Sequence, residues 1–211
     1  MLRSPTRASA PDVYHVVHKS RTRCASLCQP PSLFRSPSDY IRYQDDLQDA
    51  LLRLGIFCHA FAQLPGQVHL LVTPGSSLAI DRLMAQMQLR YPGQLARAAL
   101  ARSDYCAAAI GSDQRCWQAY RYIEYAPVRA GLAACPEAWY WSSYAHNALG
   151  VPCELITAHP LYLALAPEPA ARPPIYRGLL AQRAAQRRHC QRLVPQVDNY
   201  LTQKPFWGRI P

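Results

Sequence analysis

The stretch LPGQVHLLVTP, Leu64 to Pro74, alternates apolar and polar side chains about a single histidine. On an extended strand, residues two apart share a face, so Gln67, His69 and Leu71 fall on one side and Val68, Leu70 and Val72 on the other. The second set reads as core-facing. Gln67 and His69 on a central strand need partners, because a buried, unsatisfied imidazole or amide costs about 1–3 kcal/mol. A hydrogen-bond network supplies them in one reading and a bound metal ion in the other. The other residue with chemical potential is Tyr122, in YRYIEYAPVRAGL. At helical spacing Trp117, Tyr120 and Ile123 form one stripe, while Tyr122 lies on another face with Ala126 one turn beyond it. A tyrosine off the packing stripe is either a surface aromatic or a functional hydroxyl.

The elements that must position these residues follow from pattern. VYHVVH, Val13 to His18, reads as a strand followed by a basic turn, Lys19 to Arg23. Ser38 or Asp39 then caps a helix on which Tyr40, Tyr43, Leu47, Leu51 and Leu54 recur at three- and four-residue steps, ended by Gly55. Strands Ile56 to Leu64 and Gln67 to Thr73 are separated only by Pro65 and Gly66 and should pair antiparallel. Ser76 or Ser77 caps a second helix, with Leu83, Met84 and Met87 inward and Pro92 and Gly93 at its end. A fourth strand runs from Tyr105 to Ile110. The order is βαββαβ, which places the chain in the α+β class with a ferredoxin-like sheet. An extra helix from Ser112 to about Ala126 carries Tyr122. The organisation is a tail at 1–12, one domain at 13–150, and a proline- and arginine-rich, mostly helical C-terminal extension at 151–211. That extension ends in a basic helical stretch, Ile175 to Gln191.

Composition narrows the partner class. The 211 residues carry a formal charge of +10, mostly from arginine, which favours a polyanion over an acidic small molecule. The eight cysteines lack zinc-ribbon pairing and disulfide-scaffold density, so they read as reduced thiols. His15, His18, Cys24 and Cys28 are of zinc-binding types, but their C-x3-C spacing alone is not a zinc signature. With no leader-like apolar run and no long apolar stretch, the expectation is a cytoplasmic protein with no membrane partner.

Four strings, VYHVVHKSRTR, HAFAQLPGQVHLLVTP, YRYIEYAPVRAGL and WYWSSYAHNALG, occur in this order over about residues 13 to 150. In sequence and spacing they resemble the REP-associated branch of the HUH single-strand tyrosine transposases. The resemblance implies DNA transposition and recombination by a nuclease using Mg2+ or Mn2+. Such an enzyme cuts single-stranded DNA beside a hairpin of a REP element through a 5′-phosphotyrosyl intermediate, and acts as a homodimer. It assigns the nucleophile to Tyr122 and the metal ligands to His69 and Gln67, the latter standing where the family has the first histidine of its motif. A second departure is Ala126, where the family has an amide side chain four residues after the tyrosine. A third is the alanine-rich segment YPGQLARAALARSDYCAAAI, which is shorter than the family's basic-aromatic stretch. Lys19, Arg21, Arg23, Arg97, Arg102 and Arg129 are the expected DNA-binding residues.

Since a tyrosine hydroxyl is a poor nucleophile at neutral pH without help from a cation, these departures leave two expectations. One is an enzyme with a reduced metal site, in which the Gln67 carbonyl oxygen serves a hard cation. The other is a catalytically impaired, transposase-derived protein that binds hairpin DNA.

Overall fold

A computed structural model describes residues 12–22, 32–76, 78–91 and 101–181. The chain runs β1 (Val13–Thr22), α1 (Pro37–Leu54), β2 (Ile56–Leu64), β3 (Gln67–Pro74), α2 (Ala79–Arg90), β4 (Ala101–Ile110), α3 (Asp113–Glu124), α4 (Ala126–Arg129), α5 (Tyr144–Leu149) and α6 (Pro160–Leu163). A further helix, α7, occupies 172–181. The four strands form one antiparallel sheet in the order β2-β3-β1-β4, giving a mixed α+β architecture.

Two cores flank the sheet. Val16, Phe61, Val68, Leu70 and Val72 pack with Tyr43, Leu47, Leu83 and Met87 from α1 and α2. On the opposite face Ala60, Ala62 and Leu71 pack with Tyr120 and Ile123 of α3, and with Tyr144, Tyr162 and Tyr176 of α5, α6 and α7. The C-terminal segment as far as 181 is therefore built into the second core. Because both faces are covered, β3 is buried along nearly its whole length. This is why its alternation is one of polarity rather than of exposure.

Several local signals act one step away from where pattern puts them. Ser36, not Ser38 or Asp39, caps α1, and the Asp39 carboxylate accepts the backbone N–H of Ser36 to close the capping box, with Pro37 opening the helix. Gly55 ends that helix at φ 63°, a left-handed conformation that suits glycine. Leu78, rather than Ser76, precedes α2. Lys19 to Thr22 continue β1 instead of turning, and β4 begins at Ala101, so the two strands pair from Val13↔Ile110 to Thr22↔Ala101. A bulge at His59 shifts the register of β2. Cys58 consequently joins one core and Ala60 the other, although residues two apart on a regular strand share a face.

The outer edge of β2 is closed by the WYWSS segment. Gln63 N–H donates to the Trp141 carbonyl at 2.9 Å, Ser143 N–H to the Phe61 carbonyl at 2.9 Å, and the Trp139 indole N–H to the Gln63 carbonyl at 2.9 Å. Covering that edge removes a template for unwanted strand pairing and fixes the entry to α5.

Candidate functional site

Pairing of β1 with β3 sets Val17 opposite His69 and Lys19 opposite Gln67. His15, two residues before Val17, is thus diagonal to His69 on the same face, within reach of an imidazole. His15 Nε2 lies 3.2 Å from His69 Nδ1, with ring centroids 5.4 Å apart and planes inclined by only 23°. The two nitrogens share one hydrogen bond, in which one ring donates and the other accepts. The outer nitrogens, His15 Nδ1 and His69 Nε2, are buried and have no partner among the described residues.

Helix α3 crosses over this pair. The Tyr122 ring meets both imidazoles edge-on, with centroids 5.6 Å from His15 and 5.7 Å from His69. The guanidinium carbon of Arg129, on α4, stands 3.7 Å from the centroid of the same ring, a cation–π contact. Arg129 is exposed and Tyr122 half-buried, so the cluster opens to solvent on the α3–α4 side. Burial is the main force holding both imidazoles neutral, with the positive charges of Arg129 and Lys19 adding to it. His15 is lowered to about 3 and His69 falls well below its ordinary value.

The other sequence-derived residues separate into groups. Gln67 is half-buried and, with Lys19, Ser20, Leu64, Ala130 and Leu132, lines a shallow cleft of about 330 Å3 at the β2–β3 hairpin end of the sheet. Lys19 is exposed there. Arg21 and Arg102 oppose one another in the β1–β4 ladder, which places two candidate cations at the same end of the sheet. Arg23 and Arg97 lie outside the described residues, as do Cys24 and Cys28. His18 occupies the other sheet face, where its Nδ1 is 2.9 Å from the Tyr43 hydroxyl. Strand alternation thus separates it from His15. Ala126 is buried in the second core, beyond a turn at Tyr125, and offers no donor atom. Among the described residues, no three His, Cys, Asp or Glu side chains come together as a metal-binding cluster.

The sequence reading missed Glu124 altogether, and took His15 only as a residue of zinc-binding type and not as a partner of His69. His15 shares its face with Val17 on β1, a signal that acquires meaning only once β1 is known to lie beside β3. Glu124 follows Tyr122 by two residues and is wholly buried. Its Oε1 accepts from Ser143 Oγ at 3.0 Å, Asn147 Nδ2 at 3.0 Å and the Tyr176 hydroxyl at 3.1 Å, while Oε2 has no partner. Burial raises this carboxyl to about 7 against the opposing effect of the three hydrogen bonds.

No protein-family model and no curated protein matches the chain. Among solved structures it is similar to the REP-associated tyrosine transposase bound to a REP hairpin, at 14% identity and a TM-score of 0.49, over 75% of this chain and 93% of that one. The likeness is a distant one in the course of the chain. No helix of the described residues is long and apolar enough to cross a membrane.

Proposed function

We propose that this protein acts on single-stranded or hairpin DNA, cleaving and rejoining it with Tyr122 as the nucleophile. The observation that carries the reading is the meeting of Tyr122 with His69 and His15 under the Arg129 guanidinium, although the tyrosine and His69 are 53 residues apart in the chain. These are the residues, His15 excepted, that the four-string resemblance selects. The strand order β2-β3-β1-β4 with intervening α1 and α2 is read as the ferredoxin-like arrangement expected from the βαββαβ order.

In this reading Arg129, exposed beside the phenol, meets the phosphate that Tyr122 attacks. Lys19 is exposed at the hairpin end of the sheet, the end at which the backbones of Arg21 and Arg102 pair in β1 and β4. The donor set fits a loosely held hard cation: His69 Nε2 is a buried nitrogen with no partner among the described residues, and Gln67, two residues away on the same face, offers a carbonyl oxygen. Mg2+ or Mn2+ bound there would polarise the scissile phosphate. This chain's own contribution is to hold the Tyr122 ring fixed against two imidazoles and to supply positive charge from Arg129. A homodimer and a cytoplasmic location belong to the same reading.

A second reading, hairpin DNA binding without cleavage, is favoured by the burial of Ala126 and by the lack, among the described residues, of any three His, Cys, Asp or Glu side chains grouped as a metal site. One experiment separates the two. A labelled single strand carrying a hairpin is incubated with the protein and Mg2+ or Mn2+, alongside Tyr122→Phe, and resolved on a denaturing gel. A covalent adduct absent from the variant supports cleavage through Tyr122, whereas retarded but uncut DNA with both proteins supports binding alone.

A further inference from the structure

Glu124 and Tyr122 are two residues apart on α3 and so point to roughly opposite sides of it. Tyr122 faces the histidine pair, and Glu124 faces the C-terminal layer. There one carboxyl oxygen gathers Ser143 and Asn147 from the start and middle of α5 and Tyr176 from α7. Two of these three donor residues, Ser143 and Asn147, are themselves tied elsewhere. Ser143 Oγ receives the Phe61 N–H at 2.8 Å, Asn147 Nδ2 donates to the His59 carbonyl at 3.2 Å, and the Tyr162 hydroxyl of α6 donates to the Asn147 carbonyl at 2.9 Å. Glu124 is thus the point at which β2, α3, α5, α6 and α7 are joined.

The surroundings favour the uncharged carboxyl. Its three hydrogen-bond partners are a hydroxyl, an amide and a phenol, none carrying charge. The titratable groups that face it are Cys58 of β2, Tyr120 of α3, Tyr144 of α5 and Tyr176 of α7, and burial holds all four in their protonated, neutral forms. His59, whose carbonyl accepts from Asn147, is likewise neutral, lowered to about 4 chiefly by burial. An ionised carboxylate in this cluster would have one oxygen with no donor and no countercharge, a state relieved only by admitting water.

We propose that Glu124 is a proton-operated clamp: as the carboxylic acid it fastens α5 and α7 to the back of the helix that presents Tyr122, and its ionisation loosens that layer and frees Tyr122 from the His15–His69 pair. Glu124 is a positioning residue, acting through α3. The inference deepens the reading of Tyr122 as the reacting residue and rests on it for its functional consequence.

The test uses the full chain without DNA or metal. Amide exchange of α5 and α7, corrected for intrinsic rates, and the 13Cε1–1H signals of His15 and His69, which sit in the ring current of Tyr122, are followed from about pH 5.5 to 8.5. In the wild type both should change together with one midpoint near neutrality, protection falling by up to about tenfold per pH unit as pH rises toward the midpoint and levelling off above it. Glu124→Gln should abolish the transition. Tyr176→Phe, which removes a donor favouring the anion, should move the midpoint upward, and it decides the matter if Glu124→Gln does not fold. A wild type with no transition, a transition that persists in Glu124→Gln, an unmoved midpoint in Tyr176→Phe, or histidine signals that stay fixed while α5 and α7 open would each overturn the clamp. None of these readouts depends on cleavage, so failure of the adduct experiment and failure of the clamp are separate results.

Discussion

His15 Nε2 and His69 Nδ1 approach to 3.2 Å across two neighbouring strands, and the edge of Tyr122 closes over both rings. The contact accounts for how a strand tolerates a buried histidine, since each imidazole satisfies one nitrogen of the other. Replacing His15 by alanine leaves His69 Nδ1 unpaired and opens space beneath Tyr122. The expected loss is about 1–3 kcal/mol in urea unfolding. A His15→Ala, His69→Ala double-mutant cycle should return a coupling of about 0.5–3 kcal/mol, and additive effects would mean that the hydrogen bond adds nothing to stability.

Two opposed sets of titrations set the pH dependence of the fold's stability. His15, His18, His59 and His69 all have lowered values, so their contribution is complete above about pH 6.5 and is lost as pH falls toward 3 to 4. Glu124 has a raised value, about 7 against an ordinary 4.5, so its contribution is present below the ordinary value and is lost as pH rises through 7. That loss amounts to up to about 3 kcal/mol. Thermal melts from pH 3.5 to 8.5 should therefore show an acid limb shared by wild type and Glu124→Gln, while the stability of the wild type relative to that variant falls as pH rises from about 4.5 to 7 and levels off above it.

Arg129 lies on the face of the Tyr122 ring rather than beyond it. Arg129→Ala should reduce the salt dependence of hairpin-DNA binding by about one unit of log–log slope, as loss of one phosphate contact requires. Arg129→Lys keeps the charge but not the flat stacking, so its slope should match the wild type while affinity falls slightly. Fluorescence anisotropy across a salt series measures both.

Gln67 faces the same side as His69 but lies half-exposed at the mouth of the cleft. Gln67→His should raise Mn2+ affinity by at least about tenfold, equal to about 1.4 kcal/mol, read by water-proton relaxation. Unchanged affinity would show that this position does not share an ion with His69.

How much of this was legible beforehand varies with the range of the forces involved. The β1, β2 and β3 strands, helices α1 to α3, the hairpin at Pro65–Gly66 and the facing of Gln67 with His69 all follow from local alternation, helical spacing and turn chemistry. Tyr122 stood out because its spacing removes it from the packing stripe. The end of β1 was misread as a basic turn, and β4 was begun at Tyr105 where it starts at Ala101. Lys19 to Thr22 have little strand character alone and are extended because ten residues of β1 pair with ten of β4. The His59 bulge was equally silent, since a one-residue insertion in pairing leaves no mark on composition.

By itself the sequence determined the main strands and helices up to α3, the basic charge, and which single residues on β3 and α3 have side chains suited to chemistry, because those properties depend on neighbours a few residues away. Only the tertiary structure decided that His15 rather than Gln67 touches His69, that His18 serves the opposite core, and that Glu124 binds the C-terminal helices to the tyrosine helix. Each of those outcomes depends on which strand lies beside which and on what burial excludes from water, quantities set by contacts between residues tens of positions apart.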